Sequence, residues 1–262
     1  MASASAAPAL TRKDLADPLR LLDGLPFLDD GFRYRWLLAG AAAVRHTQAQ
    51  QQSGARGDVP PQGWLTPSAV YALRNSPPMP ARPLTPSRRA AITSRLTELE
   101  GLVPAWGPLL RLPVRYARLF PDRGAISASS RAWPQHVLLA DAAFGTDAEL
   151  REQLVHELAH QWLYLIQEMW RLETPDAPVV TLPSGTAGRS PDEALGAAHV
   201  AAALIRLYRA TGDHDRVRTL TGYGAGCLDA ARHLAPAGRL LADHIADRIA
   251  AHLPDPGSAR AG

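Results

Sequence analysis

Cysteine is nearly missing from this chain. Cys227 stands alone among 262 residues, which excludes an internal disulfide and a zinc site built from cysteines. Lysine is as scarce: Lys13 is the only one, so arginine carries the positive charge. Beside so much alanine, this is the mark of GC-rich coding, and it makes the pI of 9.3 weak ground for a nucleic-acid partner. The formal net charge is only +3 and no dense basic run occurs, so no nucleic acid is expected. No run approaches the ~18 apolar residues of a membrane span. Met1 to Pro8 is small and polar, without the apolar core of a secretory signal. No membrane contact and a cytoplasmic location are the corresponding expectations. What is abundant is apolar side chain, 46% of residues, enough for a sizeable core and too much for wholesale disorder.

Within that apolar background lies Leu154-Val155-His156-Glu157-Leu158-Ala159-His160-Gln161-Trp162, an HExxH pattern. Residues four apart share one helix face, with about 6 Å between Cβ atoms, so His156 and His160 can hold one metal ion. Glu157 points beside that pair, toward a metal-bound water or a hydrogen-bonding neighbour. Thr146 to Glu149 reads as a capping box that starts the helix. Leu150, Leu154, Leu158, Leu165 and Met169 form an apolar stripe, widened by Val155, Trp162 and Ile166, which predicts a buried helix. Two histidines and a glutamate inside such a helix are costly unless something pairs with them. The plainer alternative is two hydrogen-bonded core histidines.

Helices are expected at 14–28, 32–47, 66–74 and 87–102, with a flexible polar loop at 48–62 and an irregular proline-rich stretch at 75–86. Short strands are expected at 114–119, 125–129 and 137–140. Helices then follow at 194–208, opened by the cap at 190–193, and at 214–222 and 224–253. The fold class is therefore α+β, predominantly helical, with a small sheet ahead of the HExxH helix in a zincin-like arrangement. The domain reading is a helical N-terminal portion, 1–84, packed on a metal-binding catalytic unit, 85–255. His46, His214, His233, His244 and His252 read as surface histidines, and His136 as a hydrogen-bonded loop histidine.

A metal held by two histidines needs a third protein ligand. Ser190-Pro191-Asp192-Glu193 is a second capping box, and the helix it opens carries both candidates. Glu193 would give the two-histidine, one-glutamate set of many zinc peptidases, although capping already explains it. His199 sits mid-helix among Leu195, Gly196, Ala198, Val200, Ala202 and Ala203, where an unpaired imidazole has no structural reason; it is the preferred candidate. Arg206 lies seven residues on, about 10.5 Å along the same face, within reach of a small dicarboxylate anchored on the metal; an ordinary surface salt bridge is the equal alternative.

The stretch from Ile126 to Leu207 resembles the HExxH-type, 2-oxoglutarate-dependent peptide β-hydroxylases, also known as HExxH-motif peptide-modification proteins of natural-product biosynthesis. The resemblance rests on Ser127-Ala128-Ser129-Ser130, the Trp133-Pro134 turn and the Val137–Ala140 strand. It continues through Leu154-Val155-His156-Glu157 with His160, the loop with Arg189, and Leu195-Gly196 with His199. It implies an Fe(II) site on His156, His160 and His199, with 2-oxoglutarate as cosubstrate and Arg206 or Arg189 holding its distal carboxylate. Glu157 would orient a ligand or a water. The implied activity is an oxygenase that hydroxylates an unactivated C–H bond, such as a β-carbon. The substrate would be a peptide or an amino acid, free or carrier-bound. The alternative from the motif itself is a zinc metallopeptidase with Glu157 as general base, its substrate aligned by the strand at 137–140.

Overall fold

The computed structural model describes residues 16–53, 81–120 and 124–251. The helix expected at 66–74 lies outside them. In chain order the described elements are α1 (Pro18–Leu22), α2 (Tyr34–Ser53), β1 (Ala81–Arg82), α3 (Pro86–Leu102), α4 (Gly107–Leu110), β2 (Arg115–Leu119), β3 (Ser127–Ser130) and β4 (Trp133–Leu139). They continue with α5 (Asp147–Met169), α6 (Pro191–Thr211), α7 (His214–Ala230) and α8 (Pro236–Ala250). The protein is α+β and predominantly helical, with one small mixed sheet.

The motif helix α5 starts where the Thr146 side chain accepts the Glu149 N–H at 3.0 Å. Its apolar stripe is buried as the spacing requires: Leu154, Val155, Leu158, Ala159, Trp162 and Ile166 are all fully covered. Trp162 donates its indole N–H to the Leu109 carbonyl at 3.0 Å, so the largest side chain on the helix leaves no polar atom unpaired. Helix α6 packs against both α5 and α7. Its start is fixed by the reciprocal Ser190–Glu193 capping box and its end by Gly212, whose φ of 78° only glycine adopts cheaply.

The sheet runs β1-β2-β4-β3, with β2 and β4 parallel and the other pairs antiparallel. Val137 and Leu139 turn one face of β4 into the main core. Leu138 turns the other way, joining Ala117, Leu119 and Ala140 in a small second cluster. Alternation of side chains along a strand produces this division. Strand β4 is central, whereas β3 pairs on one side only and presents its free edge next to α5.

Several boundaries differ from the sequence expectations, each for a local reason. Helix α1 is short because Asp23 takes a left-handed conformation, φ 58°, directly after Leu22. Helix α2 does not stop at Thr47 but runs on through the glutamines to Ser53. The strand expected at 137–140 begins at Trp133. Helix α7 continues past 222, and the break before α8 falls at 231–235. Gly224 lies within α7 and lets α8 come close: a Cβ there would lie 2.7 Å from Ile249 Cδ1. The N-terminal residues are tied across the chain to the half that carries the HExxH helix. Leu22, Leu25 and Phe27 are fully buried in the same apolar cluster as α5 and α6. No helix among the described residues is long and apolar enough to cross a membrane.

Candidate metal centre

Four side chains at four-residue spacing, Glu152, His156, His160 and Tyr164, share one face of α5 and line a single cavity of about 730 Å³. Its other walls are β3 and the turn after it, α6, the loop that carries Leu182 to Arg189, and α7 at Leu220 and Tyr223. The His156 and His160 rings stand 5.0 Å apart between centroids, at 67° to each other. Tyr164 stacks on the far side of His160, 5.9 Å away and only 13° from parallel. Burial, with the neighbouring His156 and His199 adding to it, holds the His160 pKa well below the ordinary histidine value. Its imidazole is therefore neutral and keeps a nitrogen lone pair for a metal.

Glu157 is 2% exposed. Its Oε1 accepts from Ser127 Oγ at 2.5 Å and lies 3.9 Å from His156 Nε2. Its Oε2 is buried and has no hydrogen-bonding partner among the described residues. A buried carboxylate oxygen left open in this way is costly in a resting fold and useful in a site that receives a ligand.

Helix α6 carries both candidate third ligands, and its faces point to different places. Glu193, Gly196, Ala197, Val200, Ala201 and Leu204 face the cavity. Gly196 lies against the His160 ring, where an added Cβ would sit 3.6 Å from Nδ1. His199 belongs to another face and does not line the cavity. Fully buried, it donates from Nε2 to the Pro26 carbonyl at 2.9 Å in the loop between α1 and α2. Burial lowers its pKa to about 4, and its Nδ1 is buried without a partner among the described residues. Arg206 shares this face, as its seven-residue spacing requires. It donates to the Phe27 carbonyl at 3.2 Å, pairs with Asp30 and lies over Trp106. The expectations that His199 completes the site and that Arg206 grips a cosubstrate are therefore corrected: both side chains turn to the N-terminal loop. Glu193 and Arg189 do reach the cavity. Glu193 accepts from the Ser190 N–H at 2.9 Å and from Arg189 Nη1 at 3.1 Å.

Two other assignments change. His244 is no free surface histidine; it hydrogen-bonds Asp29 at 2.7 Å, and Arg248 pairs with the same carboxylate. The strand beside the site is the edge strand β3, not the central 137–140 stretch. His136 bonds the Pro134 carbonyl at 2.9 Å, as a structural histidine does.

The sequence pattern assigned no site role to Ser129 or Asp192 and did not mark Tyr164, Arg131 or Gln167, yet all five line the cavity. Extending the four-residue spacing one more turn from His160 would have found Tyr164. Nothing in the spacing marks Arg131, which arrives on the β3–β4 turn. Burial and the Glu157 carboxylate raise the Tyr164 phenol's pKa, so it remains an O–H donor.

The donor set fits a borderline divalent metal in part. Two imidazoles face one cavity, and at least one of them is held neutral. Among the described residues no three His, Cys, Asp or Glu side chains stand close enough to hold an ion as they lie. Glu193, which is 42% exposed at its side chain, would have to swing from its cap to complete the set. Neither the protein-family models nor the curated proteins searched contain a match to this chain.

Proposed function

We propose that the chain is a mononuclear metalloenzyme acting on an extended peptide or amino-acid substrate. His156 and His160 hold the metal, and Glu193 supplies the third ligand. The observation that carries this reading is the convergence of His156, His160, Glu157, Glu193 and Arg189 on one cavity beside an open strand edge. Two histidines and one carboxylate on one side of a metal are the donor set of non-haem Fe(II) oxygenases. The same set serves zinc peptidases, so the choice of a 2-oxoglutarate-dependent hydroxylase of unactivated C–H bonds rests on the family resemblance, with Glu193 in place of the His199 that the resemblance implies. Fe(II) and the 2-oxo acid would supply the oxidising chemistry. The chain's own residues bind, orient and shield. Arg189 offers a charge to the cosubstrate, and the small residues of α6 leave room for the substrate. The free edge of β3 offers main-chain groups to an extended segment.

One observation favours a second reading. Glu157 Oε2 is buried, unpartnered and beside the histidine pair, as a general base for hydrolysis needs. In a zinc metallopeptidase Glu157 would take the proton of the attacking water, and Tyr164 could donate to the oxygen that gains charge.

Anaerobic titration of metal-free protein with Fe(II) and then 2-oxoglutarate separates the two. A saturable visible charge-transfer band is expected, lost in Glu193→Gln and kept in His199→Ala. Replacing the ligand Glu193 should weaken metal binding on the order of 100-fold, at or beyond the range seen when a ligand's supporting partner is removed. A band lost in His199→Ala instead would return the third position to the histidine. No band, with zinc bound tightly and peptide cleavage abolished in Glu157→Gln, would establish the hydrolase.

A further inference from the structure

The end of the cavity beyond His160 has no role in holding a metal. Arg131 enters there from the β3–β4 turn. Its Nη1 is held at 2.8 Å by Asp192 Oδ2, and Asp192 is itself only 3% exposed. The same oxygen accepts from Gln167 Nε2 at 3.2 Å, and Ser190 Oγ bonds the other oxygen of Asp192. These contacts fix the guanidinium, and among the described residues no other hydrogen bond engages it. Its fork can therefore present further N–H groups to the cavity. Around it are two buried polar atoms without partners of proper geometry: Ser129 Oγ, beside the Tyr164 phenol, and Gln167 Oε1. Buried polar atoms are nearly always paired, so two orphans on the wall of one cavity point to a group that is to be bound.

We propose that Arg131, Ser129 and Tyr164 form a carboxylate-binding subsite, one helical turn along α5 from His160. This inference rests on the reading of the cavity as the working site. The guanidinium supplies a charge-assisted, directional contact, and the two hydroxyls supply neutral donors. Asp192 neutralises part of the charge, and in return it prevents the arginine from folding away. Two carboxylates suit the position: the distal end of a 2-oxo dicarboxylate, or the C-terminus of a peptide. The second has an N–H next to its carboxylate that Gln167 Oε1 could accept; the first does not.

The test is titration calorimetry on the full chain, its metal content measured, with two probe pairs. One pair is 2-oxoglutarate against 2-oxovalerate, and the other is acetyl-Ala-Ala against its C-terminal amide. The wild type should prefer the carboxylate member of one pair by roughly tenfold or more, as expected for hydrogen bonds to a charged group. The pair that shows the preference identifies the source. Arg131→Lys and Ser129→Ala should each reduce it toward unity. The serine variant guards against Arg131→Lys failing to fold. His156→Ala should lose the metal and keep the preference, because the subsite's donors belong to the chain. No preference in either pair, a preference unchanged in both subsite variants, or one that vanishes with the metal would each overturn the proposal. A wild-type protein that binds no metal would sink the metalloenzyme reading and leave the carboxylate ratio readable.

Discussion

His199 shows how a single residue can be read correctly as unusual and wrongly as to purpose. Its apolar setting demanded a partner, and the partner is the Pro26 carbonyl. The imidazole is neutral in the fold, with a pKa near 4, whereas in the unfolded chain it titrates near 6.5. Between those values the unfolded state binds more protons. Stability is thus fully present above pH ~6.5 and falls as the pH drops toward 4, by about 3 kcal/mol from this residue. Urea midpoints between pH 7.5 and 4.5 should show that fall, and His199→Gln should flatten it while lowering stability at neutral pH. A His199→Gln profile as steep as the wild type's would remove the residue from this role.

At the scale of elements, the cavity exists because α6 carries small residues where it passes α5, and it comes close to α7 as well, where Ala201 lies against Gly224. Gly196, Ala197 and Ala201 keep the helix close and the trough open. The same device holds α8: Gly238 sits so near the Leu172 carbonyl that a Cβ would lie 2.0 Å from the oxygen. Gly238 cannot yield without moving α8, and the loop at Leu172 is held by the Ala235 N–H on its carbonyl at 2.9 Å and by the bridge from Glu173 to Leu234. Gly238→Ala is therefore expected to cost about 3 kcal/mol, the upper end of overpacking, despite alanine's better helix propensity. Thermal unfolding checks this. For contrast, nothing lies within 4 Å of a Cβ added at Gly222 of α7, so Gly222→Ala should be neutral or stabilising.

Across the whole molecule, the loop between α1 and α2 acts as the brace of the helical half. Asp29 accepts the Leu25 N–H and the His244 ring, both at 2.7 Å, and pairs with Arg248. Phe27 gives its carbonyl to Trp106 and Arg206, and Pro26 gives its own to His199. Hydrogen bonds from His244 and Leu25 outweigh burial and hold the Asp29 carboxyl below its usual pKa. Asp29→Ala would leave these donors without their acceptor and is expected to cost about 3 kcal/mol. It should also loosen α8, which hydrogen exchange along 236–250 would report. Exchange there unchanged from the wild type would show that α8 is held by its apolar face alone.

The sequence by itself determined the parts whose signals are local. The caps at Thr146 and Ser190, the buried stripe of α5, the strand–strand–helix order and the His156–His160 pair all follow from spacing within one or two turns. The faces of α6 were partly legible too, since the seven-residue step that joins His199 to Arg206 holds in the structure. What no local pattern contained was the rotation of that helix about its own axis. It is set by Leu163 and His160 against Gly196 on one side and by the loop at Pro26 to Asp30 on the other, residues up to 179 positions away. That rotation sends Glu193 into the cavity and His199 out of it. The edge position of β3 and the arrival of Arg131 were likewise decided by tertiary structure, because strand order and loop landing depend on what the whole core can bury.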